Sequence, residues 1–518
     1  MRSFASLSIG VFALIAMSPA APAATISGTV TGPDKAAFRG AFVQARNAKT
    51  RITVSVLSDP QGHFRIEGLP AGDYRVGVRA PGYKAESKNG IALTADQSLS
   101  HDIALQNGMV RWSDISMYQG KKLLPDARGK DVYFQHCMAC HGFESRMATA
   151  TRDEDGWRDR VNFMRDAMGY FVSDPRFGFN DAKAEDVVYY LNHVFGEESV
   201  LPKSPADLPK YKDEVRAFGD KAMKIVYVEY ELPGANRMPW SAHPDKAGKF
   251  WIPYYGRANA IARLDPATGA IQEFPAPNIG TAAIHSAVPA EDGSVWLTEQ
   301  GTNKIGRWDP DTQKITEFQD TVRKHTIRID GEGRVWSTGA LSRFDPKTGV
   351  FTHIPEVPSC YGIALDKDGN AWFTELLTNG RIGRVDAKTL KVTKWTLPTA
   401  NGRPRRIQVD DQGIVWAAEF DAGRIARFDP ATETFKEFQL PGPMPTPYAL
   451  GIDKDHKVWY SSEYMDVVGR LDPDTGDVIE YPIPHAENTM RDFFLDAQGR
   501  MWFGSPANDR VGYFYVKE

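Results

Sequence analysis

Gly362-Ile363-Ala364-Leu365-Asp366-Lys367-Asp368-Gly369-Asn370-Ala371-Trp372-Phe373-Thr374-Glu375 is the stretch that decides the fold of most of this chain. Two short apolar runs flank a Lys-Asp-Gly-Asn turn, so the stretch reads as a strand hairpin. Arg381 to Asp386 supplies a third strand and Val392 to Leu397 a fourth, joined by an Asp-x-x-Thr turn. The unit recurs. Its tryptophan stands at Trp251, Trp296, Trp336, Trp372, Trp416, Trp459 and Trp502, at spacings of 45, 40, 36, 44, 43 and 43 residues. A four-strand repeat of about 42 residues is a β-propeller blade, and helical periodicity is missing between the tryptophans.

The turn starts at Asp265, Asp309, Asp345, Asp386, Asp429 and Asp472, and the seventh repeat has neither this turn nor an outer strand. Ile225 to Pro233 reads like the outer strand Val478 to Pro484. It is expected to pair beside Val511 to Val516, because an open ring leaves unpaired backbone on its terminal strands. Residues 224–518 are thus expected to form a seven-bladed propeller. They resemble the virginiamycin B lyase (streptogramin lyase) family through Trp296-Leu297-Thr298-Glu299…Asn303-Lys304-Ile305-Gly306-Arg307 and Trp372-Phe373-Thr374-Glu375…Gly380-Arg381-Ile382-Gly383-Arg384.

Eleven residues before each repeat tryptophan, at the head of the innermost strand, stand Trp240, His285, His325, Tyr361, Arg405, Tyr448 and Arg491. The resemblance implies acid/base histidines at this position in the sixth and seventh blades, acting with nearby glutamates and Mg²⁺. Here Tyr448 and Arg491 occupy those places, and Thr489 replaces a glutamate. An arginine cannot act as a general acid at neutral pH, so lyase activity of the family type is not expected unless His285 and His325 have taken over. The candidates left at the channel mouth are His285, His325, Arg405, Tyr448 and Arg491. His285 and His325, with His243, offer room for an additional divalent metal, or simply bond across strands. Arg405, Arg406 and Arg491 with Tyr361 and Tyr448 form a cationic, aromatic rim suited to an anionic or phenolic small-molecule ligand. Glu299, Glu375 and Glu419 could hold a cation or pair with arginines, and Cys360 reads as a buried thiol.

At the other end, Arg2, the apolar run Leu7 to Met17 and Ala21-Pro22-Ala23 read as a signal peptide cleaved after Ala23, which places the protein in the periplasm. The run is too short to span a bilayer. Residues 24–105 alternate over several short strands and suggest a small β-sandwich. Ser27-Gly28-Thr29-Val30, Phe64 to Tyr74 and Ala80-Pro81-Gly82-Tyr83 resemble the carboxypeptidase regulatory-like domain, which implies a spacer or docking module.

Cys137-Met138-Ala139-Cys140-His141 in residues 107–200 has the spacing for covalent haem c attachment through two thioethers, with His141 as an iron ligand. A disulfide, a redox Cys-x-x-Cys and half a zinc site are the alternatives. Trp157, Val161, Met164 and Met168 share one helical face, and Met164 is favoured as the sixth ligand over Met168 and His193. Asn180 or Asp181 can cap a last helix carrying Val187, Val188, Leu191 and Val194, and Tyr190-Leu191 resembles the closing helix of class I cytochromes c. Residues 201–223, with Pro202, Pro205 and Pro209, read as a linker.

Composition agrees with a globular, mainly β, multidomain protein with one α-helical cytochrome c domain: 42% of the residues are hydrophobic and 25% charged. The formal net charge of −4 gives no sign of nucleic-acid binding. Together the readings point to a periplasmic c-type cytochrome in electron transfer, within an oxidoreductase that binds a small organic molecule at the propeller. Its partner would be a redox protein such as another cytochrome or a membrane electron acceptor. The alternatives are a lyase-like or metal-assisted propeller enzyme with a peripheral haem, and a non-catalytic redox or binding scaffold.

Overall fold

The computed structural model describes residues 23–138, 141–167, 178–277, 282–376, 380–487 and 489–517. The signal-peptide segment therefore lies outside the described residues, except for Ala23. Six four-stranded antiparallel sheets follow one another from His243 to Pro482. Blade four shows the pattern: Ile363–Leu365, Ala371–Glu375, Arg381–Val385 and Val392–Thr396, with Trp372 opposite Ala364 and Arg384. The seventh blade is built from Phe494–Leu495, Met501–Ser505 and Arg510–Val516. Ile225–Glu231 closes it, pairing from Ile225 opposite Val516 to Glu231 opposite Arg510.

One device recurs behind the tryptophans. The indole nitrogen donates to the carboxylate of an aspartate six residues earlier: Asp245 to Trp251, Asp330 to Trp336, Asp366 to Trp372 and Asp410 to Trp416, all at 3.0 Å. Asp453 to Trp459 is 2.8 Å and Asp496 to Trp502 is 2.7 Å. The other carboxylate oxygen accepts backbone N–H groups of the inner turn, as Asp366 does from Asp368 and Asn370. Each aspartate thus ties the turn to the strand that follows it. Blade two has Ala290 at this position.

The closing strand has a second neighbour. Ile52–Leu57 pairs on the other side of Ile225–Glu231, with Val56 opposite Val226 and Ile52 opposite Tyr230. Phe42–Asn47, Gly72–Arg79 and Lys88–Leu93 follow, so blade seven and half of the N-terminal sandwich form one eight-stranded sheet. The second sheet of the sandwich centres on Ala24–Thr31, flanked by His63–Leu69 and Ser98–Ser100. Ile26, Val43, Phe64, Ile66, Tyr74 and Val76 fill the space between the layers, and Val226 of the propeller joins them.

The expected α-helical cytochrome c domain is corrected by the structure, which is mainly β, with 41% strand and 13% helix. The region between the sandwich and the closing strand contributes Met117–Leu123, Lys130–Val132 running into a wider turn to Cys137, Glu154–Ala167 and Asp181–Phe195. Asn180 caps the last of these by accepting from the Lys183 N–H. Their apolar residues pack on one another and run on into the propeller. Tyr133, Phe134, Trp157, Leu191 and Phe195 belong to one buried cluster with Phe420, Tyr448, Tyr464, Met465 and Val467 of the propeller. The segment is a helical layer on the blades, anchored by Tyr118 N–H to the Tyr464 carbonyl at 2.8 Å. No described helix is long and apolar enough to cross a membrane.

Candidate functional site

The innermost strands deliver their head residues to one end of the channel. His285 and His325 lead adjacent blades, and their rings lie 3.8 Å apart, centre to centre. His325 continues to Tyr361 at 4.5 Å, and Trp240 stands 5.9 Å from His285. The hydroxyls of Tyr361 and Tyr448 are hydrogen-bonded. The Arg405 guanidinium sits over Tyr361, Phe420 and Tyr448 at 5.3, 4.6 and 5.5 Å. Arg491 lies over Trp240 at 4.9 Å and Tyr448 at 4.5 Å, and forms an ion pair with Glu463. The structure thus brings all five channel candidates into one buried cluster. Glu463, four residues after Trp459, was not singled out in the sequence, and its place one step beyond Glu299, Glu375 and Glu419 in the repeat is the signal that could have found it.

Burial governs the protonation of this cluster. It holds both imidazoles well below their ordinary range; neighbouring His325 and Arg406 add to the effect at His285, and Arg406 and Arg323 at His325. Burial also lifts the Glu463 carboxyl to about 6, against the opposing pull of Arg491 and Arg405. Thr326 Oγ1 accepts from Arg406 Nη1 at 2.8 Å and lies 2.9 Å from His325 Nδ1, which orients that ring. Among the described residues, His285 Nδ1 has a long 3.4 Å contact to Ser286 Oγ.

The helical layer reaches this end of the ring. Glu487 accepts from the N–H groups of Gly142 at 3.2 Å and Ser145 at 3.0 Å, and from the Ser145 hydroxyl. Beside it the Glu144 carboxyl is buried, and burial with neighbouring Glu487 and Asp466 raises it well above the usual carboxylate range.

Other candidates stand elsewhere. His243 packs on Phe494 at 3.7 Å instead of joining the histidine pair. Glu375 pairs with Arg381 at 2.6 Å and Lys394 at 2.8 Å within its own blade. Glu419 is buried, and burial with nearby Glu437 lifts it to about 8. Glu299, beside Glu317, is lifted to about 7 by the same two causes. Burial pushes the Cys360 thiol far up. In the helical layer, Cys137 ends the turn that begins at Tyr133, and Cys140 lies outside the described residues. The His141 ring meets the Gly142 carbonyl at 2.9 Å through Nδ1. Met164 is half-buried on Glu154–Ala167, Met168 lies outside the described residues, and His193 stacks on Tyr189 at 5.8 Å.

Comparison with known proteins bears on the propeller and the sandwich. The virginiamycin B lyase family model matches residues 350–517, and the carboxypeptidase regulatory-like domain matches residues 25–106. Among solved structures, selenomethionine-substituted virginiamycin B lyase from Staphylococcus aureus is similar at 24% identity with a TM-score of 0.52. That likeness covers 57% of this chain and 100% of the other. A streptogramin B lyase structure gives 24% and 0.52 over 58% of this chain and 100% of its own. A catalytically inactive histidine-to-alanine variant of the S. aureus enzyme with quinupristin gives 24% and 0.50, over 56% and 100%. No curated protein matches the chain.

These findings correct several expectations. The likeness is to lyase propellers, and neither matching family model covers the Cys137–His141 motif, so the c-type cytochrome, haem c and electron-transfer reading falls. The divalent metal falls with it: among the described residues, no group of three or more His, Cys, Asp and Glu side chains is arranged to hold one. The expectation that lyase activity is unlikely is corrected as well, by the match of the virginiamycin B lyase family model to residues 350–517, which include Tyr448 and Arg491.

Proposed function

We propose that the protein is a lyase-like propeller enzyme that eliminates across a carbon–oxygen bond at the channel mouth. The observation that carries this reading is the pair of neutral imidazoles, His285 and His325, 3.8 Å apart beside Arg491 and the two tyrosines. His285 takes the proton from a carbon next to a carbonyl. His325, through a ring N–H, and Arg491 hold the negative charge that develops on the carbonyl oxygen, where fixed donors in a dry site act most strongly. The carbon–oxygen bond at the next carbon then breaks, a carbon–carbon double bond forms, and Tyr448 returns a proton to the departing oxygen. His285 is the general base and Tyr448 the general acid.

The cyclic depsipeptide quinupristin, bound in the S. aureus lyase variant, is the first substrate to try. Elimination opens its lactone without changing its mass, whereas hydrolysis adds one water. Mass spectrometry of the product should show an unsaturated isomer with the wild-type protein and unreacted quinupristin with His285→Gln. An unreacted ring that also fails to exchange hydrogen for deuterium in D2O overturns the reading. The first 23 residues are proposed to export the chain to the periplasm, which amino-terminal sequencing of the periplasmic form would test at Ala24.

A further inference from the structure

Arg405 is 1% exposed, and its Nε and Nη2 have no hydrogen-bond partner among the described residues. Aromatic faces around it offset part of the cost of burying its charge. They do not replace an anion, because a buried ion without a hydrogen-bonded counter-ion is strongly unfavourable. The same side chain lines a cleft of about 650 Å³ between the helical layer and blades five and six. Phe134 of the layer and Phe420 and Tyr464 of the blades line it, and the Tyr464 hydroxyl donates to the Phe134 carbonyl at 3.3 Å. Its charged lining is Lys121, Arg403 and Arg405 against Asp131 and Asp421, and Asp421 is already paired with Arg403 at 3.0 Å. The lining thus carries one more cation than anion, and Arg405, which also feels the buried Glu463 carboxyl held by Arg491, keeps its Nε and Nη2 without a hydrogen bond among the described residues.

We propose that this cleft binds a small aromatic carboxylate, with Arg405 as its counter-ion at the inner end and Phe134, Phe420 and Tyr464 around its ring. The volume falls within the range of small-molecule sites, which are mostly apolar with a few convergent polar groups. Arg405 lies over both Tyr361 and Tyr448, so the carboxylate end of such a ligand is placed next to the reaction centre. The inference rests on the lyase reading for its purpose and names the substrate class, an acid carrying an aromatic ring.

Calorimetric titration of the intact protein with benzoate, and with benzamide as the uncharged analogue of the same shape, tests it. Benzoate should bind, more weakly as salt rises, and at least about tenfold more tightly than benzamide. Arg405→Met should weaken benzoate binding by about tenfold or more, and Arg405→Lys should restore part of it. Since Arg405→Met could perturb folding, Ala422→Trp at the half-buried mouth gives a second route: it narrows the cleft without touching the arginine and should also weaken binding. No benzoate binding, equal binding of benzamide, or unchanged binding in both Arg405→Met and Ala422→Trp overturns the proposal. Binding is read without turnover, so a protein that binds benzoate but opens no substrate sinks the lyase reading and leaves this one standing.

Discussion

The imidazoles of His285 and His325 face each other at 3.8 Å with their planes 37° apart, each at the head of an innermost strand of neighbouring blades. Both are held below the ordinary histidine range in the folded protein. The unfolded chain therefore binds more protons once the pH falls below about 6.5, and stability declines as the pH drops through that value. The double variant His285→Gln/His325→Gln should flatten the fall in Tm between about pH 7 and 5. It should also lower turnover by about a hundredfold or more, the usual weight of a general base. Thermal melts across pH, beside rate measurements, check both.

Glu419 shows the opposite sign. Its carboxyl is raised from 4.5 to about 8, so its contribution to stability is fully present below about pH 4.5 and is lost progressively as the pH rises from there through 8. Glu419→Gln keeps the shape and cannot ionise. Denaturant unfolding should show little change near pH 4 and a gain that grows between about pH 5 and pH 8, reaching on the order of 1–3 kcal/mol.

Blade two has Ala290 where six other blades have an aspartate bonded to the repeat indole. Ala290→Asp places a carboxylate within reach of Trp296 and should raise stability by about 1 kcal/mol. The converse change, Asp410→Ala, strips the Trp416 indole and the turn amides of their acceptor. It should cost about 2 kcal/mol in the same unfolding assay.

Val56 lies in the strand between the sandwich and the closing strand, opposite Val226 on one side and Val43 on the other. Because the sheet is continuous through this strand, calorimetry should record the sandwich and blade seven melting together. Val56→Pro should lower that shared transition, at a cost of about 3 kcal/mol. Two well-separated transitions in the wild-type protein would contradict the coupling.

The blades were legible because each repeat carries its own punctuation, a tryptophan strand followed by an Asp-x-x-Thr turn, and these signals are local. Closure by Ile225–Glu231 was legible too, since that strand resembles the outer strand ending at Pro484 and the last repeat lacks one. The bond between Ile52–Leu57 and the same strand was not. Alternation marks a segment as a strand but does not say which open edge, some 170 residues away, will receive it. The channel candidates were found from one register position, but the Tyr361–Tyr448 and Arg491–Glu463 pairs among and beside them exist only once the ring has closed. Spacing misled most at Cys137 to His141. A short motif carries no information about the apolar partners of its neighbours, whose buried cluster runs on into propeller residues such as Tyr464 and Met465.

The ladder between residues 52–56 and 226–230 also fixes how the molecule can be held. A tether on the amino-terminal side would transmit its pull as shear across several backbone hydrogen bonds at once, with no hinge to absorb it. Whatever surface or assembly grips that end would therefore set the direction in which the channel opens, as a handle sets the angle of a blade.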